Sequence, residues 1–219
     1  MTRRIHCCWF SGEEKTRLAR KCRASWVLFA PGWEIVEWDL AAAEAFGADV
    51  PPFFREAVRR RRWAFAADWL RFKALHEQGG VYFDYDLELV APLEGVASGE
   101  WCAGQFTRTG GVGYEPGAGL ALERGSPVAR AMLEHYARAD YDESLTAGER
   151  MAAVLGGERL ARLPPEAMSP IDPDGRLHRT AATRGIHHYA MSWASPRRRL
   201  ARWLNWHGCR AVVEALLRR

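Results

Sequence analysis

Between residues 4 and 90 the sequence alternates between two periodicities, and that order limits the folds open to it. RIHCCWF (4–10) is an apolar extended run, residues 13–29 carry helical spacing, WEIVEWD (33–39) returns to extended chain, and residues 53–78 read as one long helix. Gly79 and Gly80 close that helix, because glycine accepts the left-handed conformation a helix terminus needs. VYFDYDLELV (81–90) then reads as a third strand. Strand, helix, strand, helix, strand is the order of an α/β fold with a mainly parallel sheet and crossover helices, whose ligands collect at the carboxyl ends of the strands. Weaker signals follow: WCAGQF (101–106) as a strand, a glycine-rich loop over 110–119, a helix over 127–139 and a short helix within 148–157. After them come irregular proline-rich chain over 163–176, a short strand within 183–193 and a helix over 197–219. No repeat is visible, and 219 residues suit a single domain.

The third strand poses an electrostatic problem. Alternate side chains of an extended chain share a face, so Tyr82, Asp84, Asp86 and Glu88 point one way and Val81, Phe83, Tyr85, Leu87 and Leu89 the other. Two carboxylates about 6.6 Å apart repel by about 0.6 kcal/mol in water and about 2.5 kcal/mol at an effective dielectric of 20. Either that face is wet or something positive sits there. Oxygen ligands suit hard cations such as Mg²⁺ or Mn²⁺, which bridge to substrate phosphates, and a metal would relieve the repulsion. His187 and His188 offer a further ligand better matched to Mn²⁺. In the long helix, Val58, Phe65, Phe72 and Leu75 form an apolar stripe on which Asp68 also falls, with Arg71 one turn on. The pair reads either as an ion pair at the margin of the core or as the floor of a polar pocket.

Composition excludes more than it selects. The net charge of +4 is too small to argue for nucleic acid. Five cysteines at irregular spacing make neither a disulfide framework nor a zinc knuckle, which suits a reducing compartment. Neither a GxxxxGK[ST] phosphate loop nor GxSxG is present. The start lacks the apolar run of a signal peptide, and the expectation is a cytoplasmic protein. The arginines and tryptophans of 197–219 fit a helix packed on the core, or a basic amphipathic helix lying peripherally on the anionic inner face of a membrane.

In order, RIHCCWFSG, CRASWVLFAPGWEIVEWD, RRWAFAADWLRFKALHEQGGVYFDYDLELVAPL and GIHHYAMSW resemble glycosyltransferase family 32. Its members are capsular and lipopolysaccharide sugar transferases with a DXD region, related to yeast initiating mannosyltransferases and distantly to the large clostridial glucosylating toxins. The likeness is dense over 4–93 and resumes at 187–193. It implies a GT-A fold, a Rossmann-like sandwich, and retaining, metal-dependent transfer of a hexose from a nucleotide sugar, UDP-linked by preference, to a glycan or lipid-linked acceptor in surface polysaccharide synthesis. By position, Trp9 matches the aromatic that stacks on the nucleobase, and Asp68 and Arg71 the pair that grips the donor's sugar and ribose. Asp84 and Asp86 match the motif that holds Mn²⁺ and the ribose–diphosphate; His187 would complete the metal shell, with Ser192 as a further ligand, and Trp193 would approach the β-phosphate. Asp68, Arg71 and Asp86 are then the catalytic group. Cys7-Cys8 stands where Tyr-Cys is common and Ala66-Ala67 where a Ser often precedes the Asp, and neither departure removes a charge. Two other readings of the same residues stay open: a metal-dependent phosphoesterase, and a basic, Trp-rich protein that binds RNA or membrane surfaces without catalysis.

Overall fold

The computed structural model describes residues 1–156 and 160–190, together with positions 197, 200, 204 and 206. Its first half runs β1 (Arg4–Cys8), α1 (Arg17–Phe29), β2 (Glu34–Trp38), α2 (Leu40–Glu44), α3 (Pro52–Arg59), α4 (Trp63–Gln78), β3 (Gly80–Tyr82) and β4 (Leu87–Leu89). There follow β5 (Trp101–Cys102), β6 (Gly104–Phe106), β7 (Val112–Tyr114), β8 (Leu120–Leu122), α5 (Pro127–Arg138), α6 (Ala147–Leu155), β9 (Ala161–Arg162), α7 (Pro165–Met168) and β10 (Gly185–His187). The main sheet has the order β2-β1-β3-β8-β5-β9. β1 pairs in parallel with β2 and β3, β5 in parallel with β9, and β8 runs against both of its neighbours. The expected α/β class with a mainly parallel sheet flanked by helices is therefore present, with one reversed strand in its middle.

Side chains alternate between two apolar layers. Ile5, Val81 and Ala121 face the layer that holds Trp26 of α1, while Tyr82, Leu120 and Leu122 face the layer of Phe53, Trp69 and Phe72. α4 is buried continuously from Phe65 to Leu75, including Asp68, Arg71 and Lys73, because α3, α5 and the sheet surround it. Local signals set the ends of the helices. Thr16 caps α1, Ser126 caps α5, Thr146 and Glu149 form a reciprocal capping box on α6, and α4 stops at Gly79 with φ 65°.

Three expectations are corrected. The helix over 53–78 is two helices: the chain turns at Arg60–Arg62, with Arg61 at φ 55°, so that Val58 leaves the stripe of Phe65 and Phe72. Glu56 pairs with Arg59 and Arg60 at that turn, which keeps the arginine block in solvent. The strand over 81–90 is interrupted: the Asp84 amide donates to Gly117 O at 2.8 Å and the Leu87 amide to Asp84 O at 3.0 Å, so the two acids sit in a turn between β3 and β4. Face alternation survives the turn, with Phe83, Tyr85, Leu87 and Leu89 buried and Asp84, Asp86 and Glu88 half-buried. The loop over 110–119 contains β7, and β8 beside it is a central strand only three residues long.

Among the described residues the cysteines are free, and burial pushes the Cys7 and Cys22 thiols up to about 12, which removes thiolate chemistry. No helix of the described residues is long and apolar enough to cross a membrane. The helix expected over 197–219 lies outside the described residues except at its four described positions.

β3 approaches β1 so closely that a Cβ on Gly80, at φ 118°, would lie 2.6 Å from Arg4 O. Gly80→Ala is expected to lower the unfolding free energy by about 3 kcal/mol, against about 1 kcal/mol for Gly95→Ala, where φ is 82° and the surroundings are open. Urea denaturation of the two variants measures the difference.

Candidate active site

The site starts at the carboxyl end of β3. Asp84 leaves the sheet there with Oδ1 accepting from the Tyr82 hydroxyl at 2.7 Å and lying 3.6 Å from Arg71 Nη2. The same Nη2 is 3.0 Å from Asp68 Oδ1, and the guanidinium lies 4.8 Å from the Tyr82 ring centroid. Asp68 and Arg71 thus form a buried ion pair that also reaches Asp84. Asp86 is held by a different part of the chain. β10 pairs antiparallel with β4, setting His187 opposite Leu87, so that His187 Nε2 lies 3.1 Å from Asp86 Oδ1. The amides of His188 and Ala190 donate to the Asp86 carbonyl and Oδ2 at 2.9 and 2.7 Å.

Each acid therefore has its own cation, which answers the repulsion posed by the sequence. Burial opposes ionisation of Asp86, yet the His187 charge, its hydrogen bond and the Ala190 amide carry that carboxyl down to about 2. Burial likewise works against a charged His187, but Asp86 lifts it to about 9. Further inside α4, burial pushes Asp68 up to about 7 against the pull of Arg71. Arg71 stays charged, since Asp84 and Asp68 together outweigh its own burial. Burial and the neighbouring Asp84 keep the Tyr82 phenol protonated, so it remains a donor.

The donor set fits a hard divalent cation. Ligand atoms of Asp84, Asp86 and His187 all lie within 4.8 Å of one another. His187 Nδ1 is buried without a hydrogen-bond partner, and a cation bound through this ring would displace the proton that Asp86 holds on it. Of the two histidines it is His187 that turns inward, while His188 Nε2 bonds Glu88 at 2.8 Å beside the Lys21–Glu88 pair. Among the described residues no second group of donors has this spacing.

Trp9 follows β1 at the rim of the site: its Nε1 donates to Glu13 O at 2.7 Å and its ring meets Tyr85 edge-on at 5.2 Å. Ser192 and Trp193 lie outside the described residues. One acid was missed from the sequence. Glu115, in the glycine-rich loop, is held above the usual carboxylate range by burial, with the His187 charge opposing and the Asp84 charge adding to it. A Cβ on Gly117 would lie 3.3 Å from Glu115 Oε1 and overlap Asp84 Oδ2, so glycine is required where the two acids converge. The only sequence signal was an isolated acid among glycines.

The buried Asp68 predicts a pH slope. The folded carboxyl keeps its proton to about 7 and the unfolded one only to 3.8, so its contribution to stability is full below 3.8 and is lost as pH rises through about 7. The slope is at most about 1.4 kcal/mol per pH unit for one proton. Urea unfolding between pH 4 and 8 is expected to show a shallower dependence in Asp68→Asn than in the wild type.

Residues 16–103 match a family model described as "Glycosyltransferase sugar-binding region containing DXD motif". That span includes α1 through β5 and both acids of the turn between β3 and β4. No curated protein matches the chain. A solved structure named "PaToxG Glycosyltransferase" superposes with a TM-score of 0.56 at 14% identity, over 68% of this chain and 66% of that one. The chain thus spans just under two thirds of that structure's length, and the likeness is one of fold. A second, named "Structure of Transferase", aligns with a TM-score of 0.49 at 11% identity, over 72% of this chain and 86% of that one.

Proposed function

We propose that this chain is a glycosyltransferase that takes a hexose from a nucleotide sugar, UDP-linked by preference, and retains its anomeric configuration; the match to the DXD-containing family model over residues 16–103 supports this reading. The observation that carries the donor assignment is the convergence of Asp84, Asp86 and His187 within 4.8 Å beside a buried Asp68–Arg71 pair. Two carboxylates and an imidazole at a strand tip suit Mn²⁺ or Mg²⁺ bound with a diphosphate. When bound, such a cation supplies Lewis-acid neutralisation of charge on the leaving diphosphate. Asp84, Asp86 and His187 would hold it, with Ser192 as the further ligand that the family resemblance implies.

The remaining work falls to groups already in position. Arg71, charged and clamped by Asp68 and Asp84, offers a preorganised cation to developing negative charge without reorganising. Asp68 supplies an acceptor for donor hydroxyls. Trp9 offers a ring face to the nucleobase, the family resemblance assigns the β-phosphate to Trp193, and the acceptor hydroxyl is to be held on the face of the leaving group. Retention in that arrangement needs no protein nucleophile: the bond from the acceptor oxygen to the anomeric carbon forms on the face from which the carbon–phosphate oxygen bond breaks, and the leaving phosphate takes the acceptor proton. A glycan or lipid-linked glycan of a surface polysaccharide is the acceptor class that fits the family resemblance.

Thermal unfolding with UDP, GDP or dTDP, with Mn²⁺ or with chelator, tests this reading. One nucleotide with Mn²⁺ at about a hundredfold its dissociation constant is expected to stabilise the protein by about 2.7 kcal/mol, a rise of roughly 5–10 °C for a chain of this size. Asp86→Asn should abolish the rise while leaving a cooperative transition, and equal stabilisation in that variant would reject the metal role. Trp9→Ala is expected to weaken nucleotide binding by about tenfold in a calorimetric titration; unchanged affinity would remove Trp9 from the base site.

A further inference from the structure

Asp68 has a second set of polar neighbours that the nucleotide and metal do not use. Tyr136 of α5 and Arg150 of α6 pack on one ring, Phe53 of α3: the Tyr136 ring centroid is 4.9 Å away and the Arg150 guanidinium 5.0 Å. Phe72, one turn beyond Asp68 on α4, meets the Tyr136 ring at 6.2 Å. Both residues are buried, Tyr136 fully and Arg150 to 4% exposure. Yet Tyr136 Oη and Arg150 Nε are buried atoms without a hydrogen-bond partner. Arg150 Nη2 donates to the Asp142 carbonyl at 2.7 Å, and among the described residues no carboxylate lies within ion-pair distance of the guanidinium. Both residues interact electrostatically with Asp68: Arg150 helps to draw its carboxyl down, and Asp68 is the foremost charge acting on the Tyr136 phenol.

Buried polar groups left without partners inside a protein are costly, and they persist where a ligand or water fills them. Their placement is deliberate. The capping box of Thr146 and Glu149 sets the start of α6, and Gly148 lets that helix approach β7 so closely that a Cβ would overlap the Tyr114 carbonyl oxygen. The chemistry also selects the occupant. A phosphate near Tyr136 and Arg150 would meet the Asp68 carboxylate, whereas a sugar hydroxyl needs donors and an acceptor together, which are Arg150 Nε, Tyr136 Oη and Asp68.

We infer that Tyr136 and Arg150 form the inner wall of the donor-sugar site and select the transferred sugar by hydrogen bonds to its ring hydroxyls. This rests on the nucleotide-sugar reading above, and the experiment separates the two. Calorimetric titration with Mn²⁺ compares UDP with UDP-glucose, UDP-galactose and UDP-N-acetylglucosamine, and GDP with GDP-mannose. Tyr136→Phe and Arg150→Met are expected to bind the bare diphosphate as the wild type does. For the sugar nucleotide that the wild type binds tightest, they should lose about fivefold and about thirtyfold in affinity.

Tyr136→Phe should leave the melting temperature of the free protein unchanged or higher, since its hydroxyl has no protein partner to lose. Equal affinity of wild type and Tyr136→Phe for that sugar nucleotide overturns the inference while leaving the nucleotide reading intact. Parallel loss of diphosphate and sugar-nucleotide binding also overturns it, by making the role structural. If Arg150→Met does not fold, Tyr136→Phe alone decides. Failure of the wild type to bind any of the nucleotides overturns both readings.

Discussion

A single buried guanidinium ties the candidate site to the core. Arg71 reaches Asp68 one helical turn away and Asp84 at the tip of β3 from the same nitrogen, and its plane rests near the Tyr82 ring. Removing one partner of such a buried pair costs about 3–5 kcal/mol, because the remaining charge has no water to turn to. The position of α4 and the path of the chain leaving β3 are therefore one problem. α4 is enclosed by α3, α5 and the sheet along most of its length, which holds the charged pair in place and keeps solvent from screening it.

Charge in the pocket is divided, not pooled. Asp84 belongs to Arg71 and Asp86 to His187, so two acids two residues apart coexist with separate cations. The second pairing depends on contact between β4 and β10, a two-strand clasp separate from the main sheet that brings His187 across a hundred residues of chain. That clasp leaves His187 Nδ1 unpartnered and aims both acids toward a common space. An interior acid adds to this charge: Glu115 converges with Asp84 over Gly117.

Much of this was readable from local signals. The alternation of periodicities over the first ninety residues identified a parallel sheet with crossover helices, and a misplaced Asp68 with Arg71 at helical spacing was legible as an ion pair. The break in the helix over 53–78 was not, since RRRR has good helix propensity and only the packing of Phe53 and Phe54 against α4 and α5 demands a turn there. β8 escaped for a similar reason: three residues carry almost no periodicity, and its strand character comes from pairing with β3 on one side and β5 on the other.

The sequence by itself determined which residue types and which faces were available: two acids sharing a side, a charged pair one turn apart, an inward apolar row. Those are consequences of covalent spacing and backbone period, which act over a few residues. Only the tertiary structure decided that Asp84 and Asp86 would occupy a turn, that His187 and not His188 would face them, and that Glu115 would converge with Asp84 over Gly117. Burial, pairing and unfilled hydrogen-bonding capacity are properties of segments brought together from distant parts of the chain, and no local pattern encodes them.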